Sequence, residues 1–544
     1  MEKHKANKVF EKYTSIILLV IITCQLIVIT IFGVLKESYH VDELYTFGLS
    51  NSFYKPFINW NNETNIWHSP EYYNDYLTVQ TDELFAYDSV YYNQVNDVHP
   101  PFYYFGIHTI CSFFPNIFSK WIGIGYNMLF YLGTVLCLFY LSKLIFNDIL
   151  LAILICIAYG FSAGAISCAI FIRMYMIVTF FIVLLTYLYG LLIVGRGSKF
   201  INIFAIVLIN ILGFLTQYIF IIYAFLIAYG YFVYLLKDKK WKLLFFYGVA
   251  MIVSIVLGVG LFPESLNHIF DGYRGVEAIR NFSIMKDFIS RTTIFLLLLS
   301  NSFAILPIIL IIIFATKLFY FINNKNQNKN ILYKTTLSNY NNLSNEKRVF
   351  LKIIAFSTFL SFLIIAKISP YYEERYFAYL LPNISILSIH VAYIVLADFF
   401  NDRGKVLKFL TVLIIIGTVV SYISGGVKYL YSNKRNDLDT MMSKYYNYNA
   451  YCVANTGVNM TIPIPLLMKH YKSCYTSNKE DTIKKIIENE NGEAIVLYFP
   501  DWDKIQDSNS KDLEYIIDHS LYDSYEQLVS NENSGACTNI YLLK

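Results

Sequence analysis

Charge is scarce in this chain. Lys, Arg, Asp and Glu together make up 15% of its 544 residues, against about 25% in an ordinary soluble protein. That excludes a typical cytosolic enzyme and leaves integration into a membrane. The formal net charge of +4 is too small to argue for nucleic acid as a partner. Cysteine offers no framework either. Of the eight cysteines, Cys24, Cys111, Cys137, Cys156 and Cys168 lie inside apolar runs, where they read as small packing residues, and Cys452, Cys474 and Cys537 lie in a polar tail. Three tail cysteines cannot all pair and no C-x-x-C spacing occurs, so neither a disulfide scaffold nor a zinc site is expected.

What the chain has is apolar length. Hydrophobic residues make up 56% of it, and apolar runs long enough to cross a bilayer recur from residue 14 to about 426. This predicts a polytopic α-helical membrane protein with 11–13 spans over 1–436. The basic start (Lys3, Lys5, Lys8, Lys12) before the run 14–35 predicts an uncleaved first span with its beginning in the cytoplasm. The segment 37–98 is the converse: nine carboxylates from Asp42 to Asp97 face a single Lys55, which predicts an extracytoplasmic loop. Its tyrosines and tryptophans suggest short helices lying at the interface. Basic connectors at 195–199, 237–242, 323–352 and 403–408 are expected inside, and 173–175, 216–218, 263–291 and 367–375 outside. Three apolar segments, 101–118, 121–146 and 149–171, leave one crossing unresolved, because two flanking sites expected on the same side are separated by an odd number of them.

Beyond 437 the pattern changes. Short buried strands are predicted at 450–455, 494–499 and 538–543, with helical spacing at 482–489 and 511–519, so 437–544 reads as a small extracytoplasmic α/β domain. Richness in Ile, Asn, Lys and Tyr fits an AT-rich genome, and a bacterial plasma membrane is the expected setting.

Two motifs carry chemistry. Just past the first span, Val41-Asp42-Glu43-Leu44-Tyr45 places two adjacent carboxylates at the membrane surface, where they can act as a general base, bind a divalent cation, or merely solvate a helix end. Where the acidic segment returns to the membrane stands Asp97-Val98-His99-Pro100-Pro101-Phe102. Its prolines end one helix and open the next. Further along lie Arg173-Met174-Tyr175, Leu215-Thr216-Gln217-Tyr218 and Glu374-Arg375-Tyr376-Phe377.

An Asp-Glu pair after the first span, then His-Pro-Pro-aromatic, then these later motifs in this order, resembles the membrane-embedded GT-C glycosyltransferases. The resemblance is to the protein O-mannosyltransferase and aminoarabinose transferase group, glycosyltransferase family 39, and covers 41–382. It implies transfer of a sugar from a polyprenyl-phosphate-linked donor, at the outer face of the bilayer, to a glycan, lipid or protein acceptor hydroxyl. Asp42 would then be the catalytic base or would position the acceptor, with Glu43 supporting it or binding a cation. Arg173, Tyr175, Arg375, Tyr376 and His99 would hold the donor phosphate, with Lys367 and Arg274 as weaker candidates. Taken without the resemblance, the two arginines equally suit snorkelling to headgroups, and His99 equally suits a metal ligand beside Asp42 and Glu43, a phosphate contact or a helix cap. Gln217 stands where such sequences often carry histidine, which weakens any donor role there. The sequence has no glycine-rich phosphate loop and no Ser-His-Asp set, which argues against a nucleotide-linked donor and against hydrolysis. A transporter or flippase for a glycolipid is the competing class, but no internal repeat is visible and the notable charges gather at one face.

Overall fold

The computed structural model describes residues 2–58, 65–284, 287–323, 343–400, 402–431, 440–453, 466–489, 491–500, 508–530 and 538–544. The connector 324–342, Trp60, Glu63 and Cys537 lie outside the described residues.

The chain forms two compact units. The first, 1–32 with 98–102 and 124–428, is helical. Helix α1 (Glu2–Leu35) is followed, after three short helices of the other unit and the α5 boundary helix, by α6 (Lys120–Phe146), α7 (Ile149–Gly160), α8 (Ala163–Ile170), α9 (Tyr175–Val194) and α10 (Lys199–Phe214). Then come α11 (Phe220–Lys237), α12 (Trp241–Leu261), the short α13 (Ser265–Phe270) and α14 (Tyr273–Ser283), α15 (Phe288–Ser302), α16 (Ile305–Asn323), α17 (Asn345–Ile368), α18 (Leu381–Phe400) and α19 (Arg403–Ser424). Polar side chains start these helices where the sequence supplies them. Asp148, Ser162, Ser198, Ser344 and Asp402 each accept a hydrogen bond from a backbone N–H of the first turn. Gly195 ends α9 at φ +74, a left-handed cap that only glycine adopts without strain.

Eight of the described helices are long and apolar enough to cross a membrane, or ten if the bent pairs α7–α8 and α15–α16 each count as one span. The protein is therefore a multi-pass membrane protein, and two of the apolar runs behind the expected 11–13 spans do not form straight crossings. The physical reason lies at both doubtful places. The segment 101–118 yields only α5 (Phe102–Phe113), 12 residues, about 18 Å at 1.5 Å per residue and too short for a hydrocarbon core of about 30 Å. The long run 292–322 breaks at Phe303–Ala304 and turns by 100°. Helix α10 has 16 residues, and counting it reaches the lower end of the expectation. With α10 and each bent pair as single crossings, the odd-segment conflict disappears: 195–199, 237–242 and 403–408 fall on one side, and 171–175, 215–219 and 262–287 on the other.

The second unit comprises 33–97, 103–123 and 429–544. The first loop thus folds together with the C-terminal region instead of with the helical bundle, so the expected boundary near 436 separates only part of it. Helices α2 (Val41–Asn51), α3 (Pro70–Leu77) and α4 (Tyr87–Val95) pack closely. A Cβ on Gly48 would lie 2.0 Å from the Tyr76 ring, so α2 meets α3 only because that position is glycine. The six-stranded sheet has the order β1-β3-β2-β4-β6-β5: β1 (Trp67–His68), β2 (Asn449–Val453), β3 (Ser473–Ser477), β4 (Ile495–Pro500), β5 (Tyr525–Val529) and β6 (Thr538–Leu543). Its three central strands are parallel, and both edges are antiparallel. The three expected strands are present; β1, β3 and β5 are additional.

Strands buried on both faces need two covers. Tyr451, Leu497, Phe499 and Tyr541 line one face and pack with Ile486, Leu513 and Ile516 from α20 (Lys479–Ile487) and α21 (Ser508–His519). The opposite face carries Ala450, Cys452, Cys474, Thr476 and Tyr498, all buried. Helix α3 covers it through Tyr73, whose hydroxyl is 2.8 Å from Thr476 Oγ1, and Tyr471 meets Tyr498 there at 2.8 Å. Cys474 is a free thiol.

Candidate active site

In the membrane unit, three distant stretches of chain converge. The chain between α8 and α9 turns sharply at 171–174. Asn127 of α6 holds that turn, donating from Nδ2 to Ala169 O at 3.2 Å and to Phe171 O at 2.6 Å, while Arg173 N–H donates to Phe171 O at 2.7 Å. Arg173 Nη2 lies 3.2 Å from His99 Nε2. A guanidinium can only donate, so Nε2 is the acceptor and the imidazole proton sits on Nδ1. His99 reaches this position because the Pro100-Pro101 step ends the preceding segment and Phe102 N–H is tied to Leu215 O at 2.9 Å.

The third stretch is the short turn Glu374–Tyr376 between α17 and α18. Arg375 places its guanidinium 5.6 Å from the Phe171 ring and 5.2 Å from the Tyr376 ring, both within cation–π range. Its Nε lies 3.0 Å from Glu373 Oε2. Tyr175 stacks on Phe171 at 6.0 Å and meets Tyr376 edge-on at 6.3 Å. All five residues expected to hold a phosphate, His99, Arg173, Tyr175, Arg375 and Tyr376, therefore lie in one interlinked cluster, with the two arginines only 4% and 5% exposed.

Glu374 faces the other way. It is buried, with Oε2 2.5 Å from Ser302 Oγ, and Ser302 Oγ also lies 2.9 Å from Leu298 O. Ser302 Oγ–H is the donor to Glu374 Oε2. Burial raises the Glu374 pKa above the usual glutamate value, opposed by the Ser302 hydrogen bond, the Lys428 charge and the Ser167 hydrogen bond. Ser302 can approach because α8 is slim at this point: a Cβ on Gly164 would stand 3.0 Å from that of Ser302.

The expected carboxylates lie at the start of α2 in the other unit and are not equivalent. Glu43 is fully buried. Its Oε2 accepts from Lys36 Nζ at 2.9 Å and from His40 N–H at 2.6 Å, the latter half of a capping box completed by the His40 side chain. Lys36, also fully buried, donates as well to Tyr429 O at 2.6 Å. Burial lowers its pKa, opposed by the charge and hydrogen bond of Glu43. Asp42, by contrast, keeps 28% of its side chain exposed. Its Oδ2 is 3.6 Å from His40 Nδ1, but that nitrogen accepts from Asp42 N–H at 3.1 Å, so its lone pair is engaged and the contact is not an ion pair. The two adjacent acids have thus separated into a structural one and an accessible one.

Among the described residues, no group of three or more His, Cys, Asp or Glu side chains is arranged to hold a metal ion. Of the residues expected as possible metal ligands, Glu43 has its Oε2 engaged with Lys36 and the His40 N–H. The weaker candidates have other engagements too: Lys367 Nζ donates to Ile284 O, and Arg274 pairs with Glu277 at 2.7 Å. At Gln217 the side chain accepts from Tyr218 N–H at 2.7 Å, and it is His268, from the 263–291 segment, that brings an imidazole to Tyr218, its Nδ1 3.0 Å from the hydroxyl. Asn127, Phe171, Lys36 and His40 also shape these sites, and only their three-dimensional neighbours reveal it.

No family model matches the sequence, and no curated protein matches it. Solved structures do. The chain has the fold of a GT-C membrane glycosyltransferase, a multi-span bundle with a small added sheet. Similar structures include those of ArnT from Cupriavidus metallidurans, in the apo state (TM-score 0.54, 12% identity) and bound to undecaprenyl phosphate (TM-score 0.53, 11% identity). Each comparison covers 96% of this chain and 97% of that one.

Proposed function

We propose that this protein is an integral-membrane glycosyltransferase that moves a sugar from a polyprenyl-phosphate-linked donor to an acceptor hydroxyl on the outer face of the membrane. The observation that carries the reading is the convergence of His99, Arg173 and Arg375 with Tyr175 and Tyr376. Two guanidiniums and an imidazole held among aromatic rings suit a phosphate leaving group, because arginine grips phosphate through two parallel hydrogen bonds and stays charged throughout. That a similar ArnT structure holds undecaprenyl phosphate supports the same class of lipid here. The basic connectors support a cytoplasmic placement for their side of the bundle, and hence an outward placement for the arginine cluster and the C-terminal region.

In this mechanism Asp42 takes the acceptor proton as the hydroxyl attacks the anomeric carbon through an oxocarbenium-like state. Glu43 fixes the helix start that aims it. The bond from the anomeric carbon to the phosphate oxygen breaks, and the arginines stabilise the charge left on the phosphate. Native mass spectrometry of the detergent-purified protein tests the lipid class. A co-purifying polyprenyl phosphate, reduced in Arg173→Ala and Arg375→Ala, is the expected result; equal retention by both variants would contradict the role of the cluster.

A further inference from the structure

Helix α14 is built inside out. An amphipathic helix on a soluble protein turns its apolar stripe toward the core and its polar face toward water. In α14 no residue is buried, and Tyr273, Val276, Ile279 and Phe282, spaced three apart, are all exposed, Phe282 to 60%. Arg274, Glu277 and Asn281 take the inner side, while Arg280 and Ser283 are exposed beside the apolar stripe. Arg274 Nη2 donates to Tyr371 OH at 3.1 Å, its Nη1 pairs with Glu277 at 2.7 Å, and Asn281 Nδ2 reaches Ile368 O at 3.4 Å. Polar groups facing protein and apolar groups facing away are favourable only where the surroundings are not water.

The flanking elements say what those surroundings are. Helix α14 stands between the spanning helix α12 and the bent pair α15–α16, and α12 displays the same outward apolar surface at Ile252, Ile255, Val256 and Leu261. The exposed stripe of α14 thus falls in the chain between helices that are long and apolar enough to cross a membrane. We infer that α14 lies along the membrane surface, with Val276, Ile279 and Phe282 in the acyl-chain boundary of the leaflet and its polar face docked on the end of α17, as an interfacial helix does. Its occupant is bulk phospholipid. Just past the end of α14 the docking continues, since Lys367 Nζ donates to Ile284 O, and the following helix α15 adds Arg291 Nε to Ala366 O at 3.0 Å. These bonds fix the segment that leads directly into the Glu373–Tyr376 turn. The inference stands whether or not the chain transfers sugars.

Spin-label accessibility tests it. With Cys24 and Cys537 replaced by serine, single cysteines at Val276, Ile279 and Phe282 are labelled, and the protein is placed in nanodiscs of phosphatidylcholine and phosphatidylglycerol without polyprenyl phosphate. Collisions with oxygen are expected to exceed those with a water-soluble nickel chelate several-fold, as for a reference label at Ile255. Dominant nickel collisions would overturn the inference in favour of a water-facing helix, and low accessibility to both reagents would overturn it in favour of a covering protein. Phe282→Trp gives a second reading that needs little change in volume. Its added emission should be quenched by brominated acyl chains, and quenching by iodide instead would refute lipid contact.

Discussion

The two groups of candidate residues solve opposite electrostatic problems. At the start of α2, one cation and one anion are fully buried together, Lys36 with Glu43, and the neighbouring Asp42 is left accessible. In the arginine cluster Arg173 lies against an imidazole and Arg375 against the Glu373 carboxylate, and two aromatic rings lie within reach of the Arg375 guanidinium. A balanced pair fixes backbone; a cationic, aromatic-walled cluster is suited to receive an anion. On the proposed function the first arrangement is a scaffold for one acid and the second a receptor for an anion, and substitutions in the two regions should differ in kind.

The largest effect is expected at Asp42. If it removes the acceptor proton, Asp42→Asn should lower turnover by roughly 10²–10⁴-fold, while polyprenyl-phosphate binding, which belongs to the other group, stays unchanged. Release of polyprenyl phosphate from a pool of lipid-linked sugars, measured by mass spectrometry at matched protein level, checks the first part. Retained lipid on the purified variant checks the second. Turnover within a factor of two of the parent would remove Asp42 from the mechanism.

Next in size is the ion pair beside it. Lys36→Met leaves the Glu43 carboxylate buried without its cation, a change that costs about 3–5 kcal/mol. Replacing both partners, Lys36→Met with Glu43→Leu, removes the stranded charge and should restore most of that loss, since a buried pair and a well-packed apolar pair are often close in energy. Denaturant unfolding followed by circular dichroism compares the three proteins. If the single variant is as stable as the parent, the pair does not anchor α2.

These two groups were unequally legible. The order of the motifs from Asp42 to Tyr376 could be read along the chain because each sits at a change from apolar to polar sequence, and the five donor-side residues do meet. Glu43 could not be told from Asp42, because the distinguishing partner, Lys36, belongs to the end of α1 and its burial depends on the segment at Tyr429. Nor could the joining of residues 67–68 to the C-terminal sheet be seen. Two residues carry no usable periodicity, and their pairing with β3 spans some 400 positions. Strands β2, β4 and β6 were visible as buried apolar runs, whereas β3 (Ser-Cys-Tyr-Thr-Ser) is mostly polar in sequence and β5 (Tyr-Glu-Gln-Leu-Val) is largely exposed, so both lack that signal. The break in α15–α16 was hidden for the opposite reason: Phe303–Ala304 is as apolar as the helices it separates.

A moderate effect is expected from changing the kind of cation while keeping its charge. Arg173→Lys and Arg375→Lys lose the planar two-bond grip on a phosphate, and Arg375→Lys also the broad face that lies against Phe171 and Tyr376, so polyprenyl-phosphate affinity should fall about tenfold, or ~1.4 kcal/mol. If the arginines only snorkel to headgroups, lysine serves equally well. Titration of polyprenyl phosphate into each purified variant separates these outcomes, and parent-like affinity in both would reduce the cluster to a membrane anchor.

The smallest effect lies just behind that cluster and depends on pH. Glu374 has a folded-state pKa raised by burial above its unfolded value. The native state therefore binds more protons than the unfolded state between those two values, and stability falls as pH rises through that window. Below the unfolded value of about 4.5 the contribution is fully present; above the folded value it is lost, because a buried carboxylate must then be charged beside Ser302. Glu374→Gln keeps the shape and an acceptor for the Ser302 hydroxyl but cannot ionise. The variant should match the parent in acid and become more stable, by about 1 kcal/mol, as pH rises past the folded pKa, so that its melting temperature varies less with pH. A parallel pH profile for parent and variant would mean that Glu374 is ionised in the folded protein throughout, and that the 374–376 turn holds Arg375 in place by charge and not by a neutral hydrogen bond.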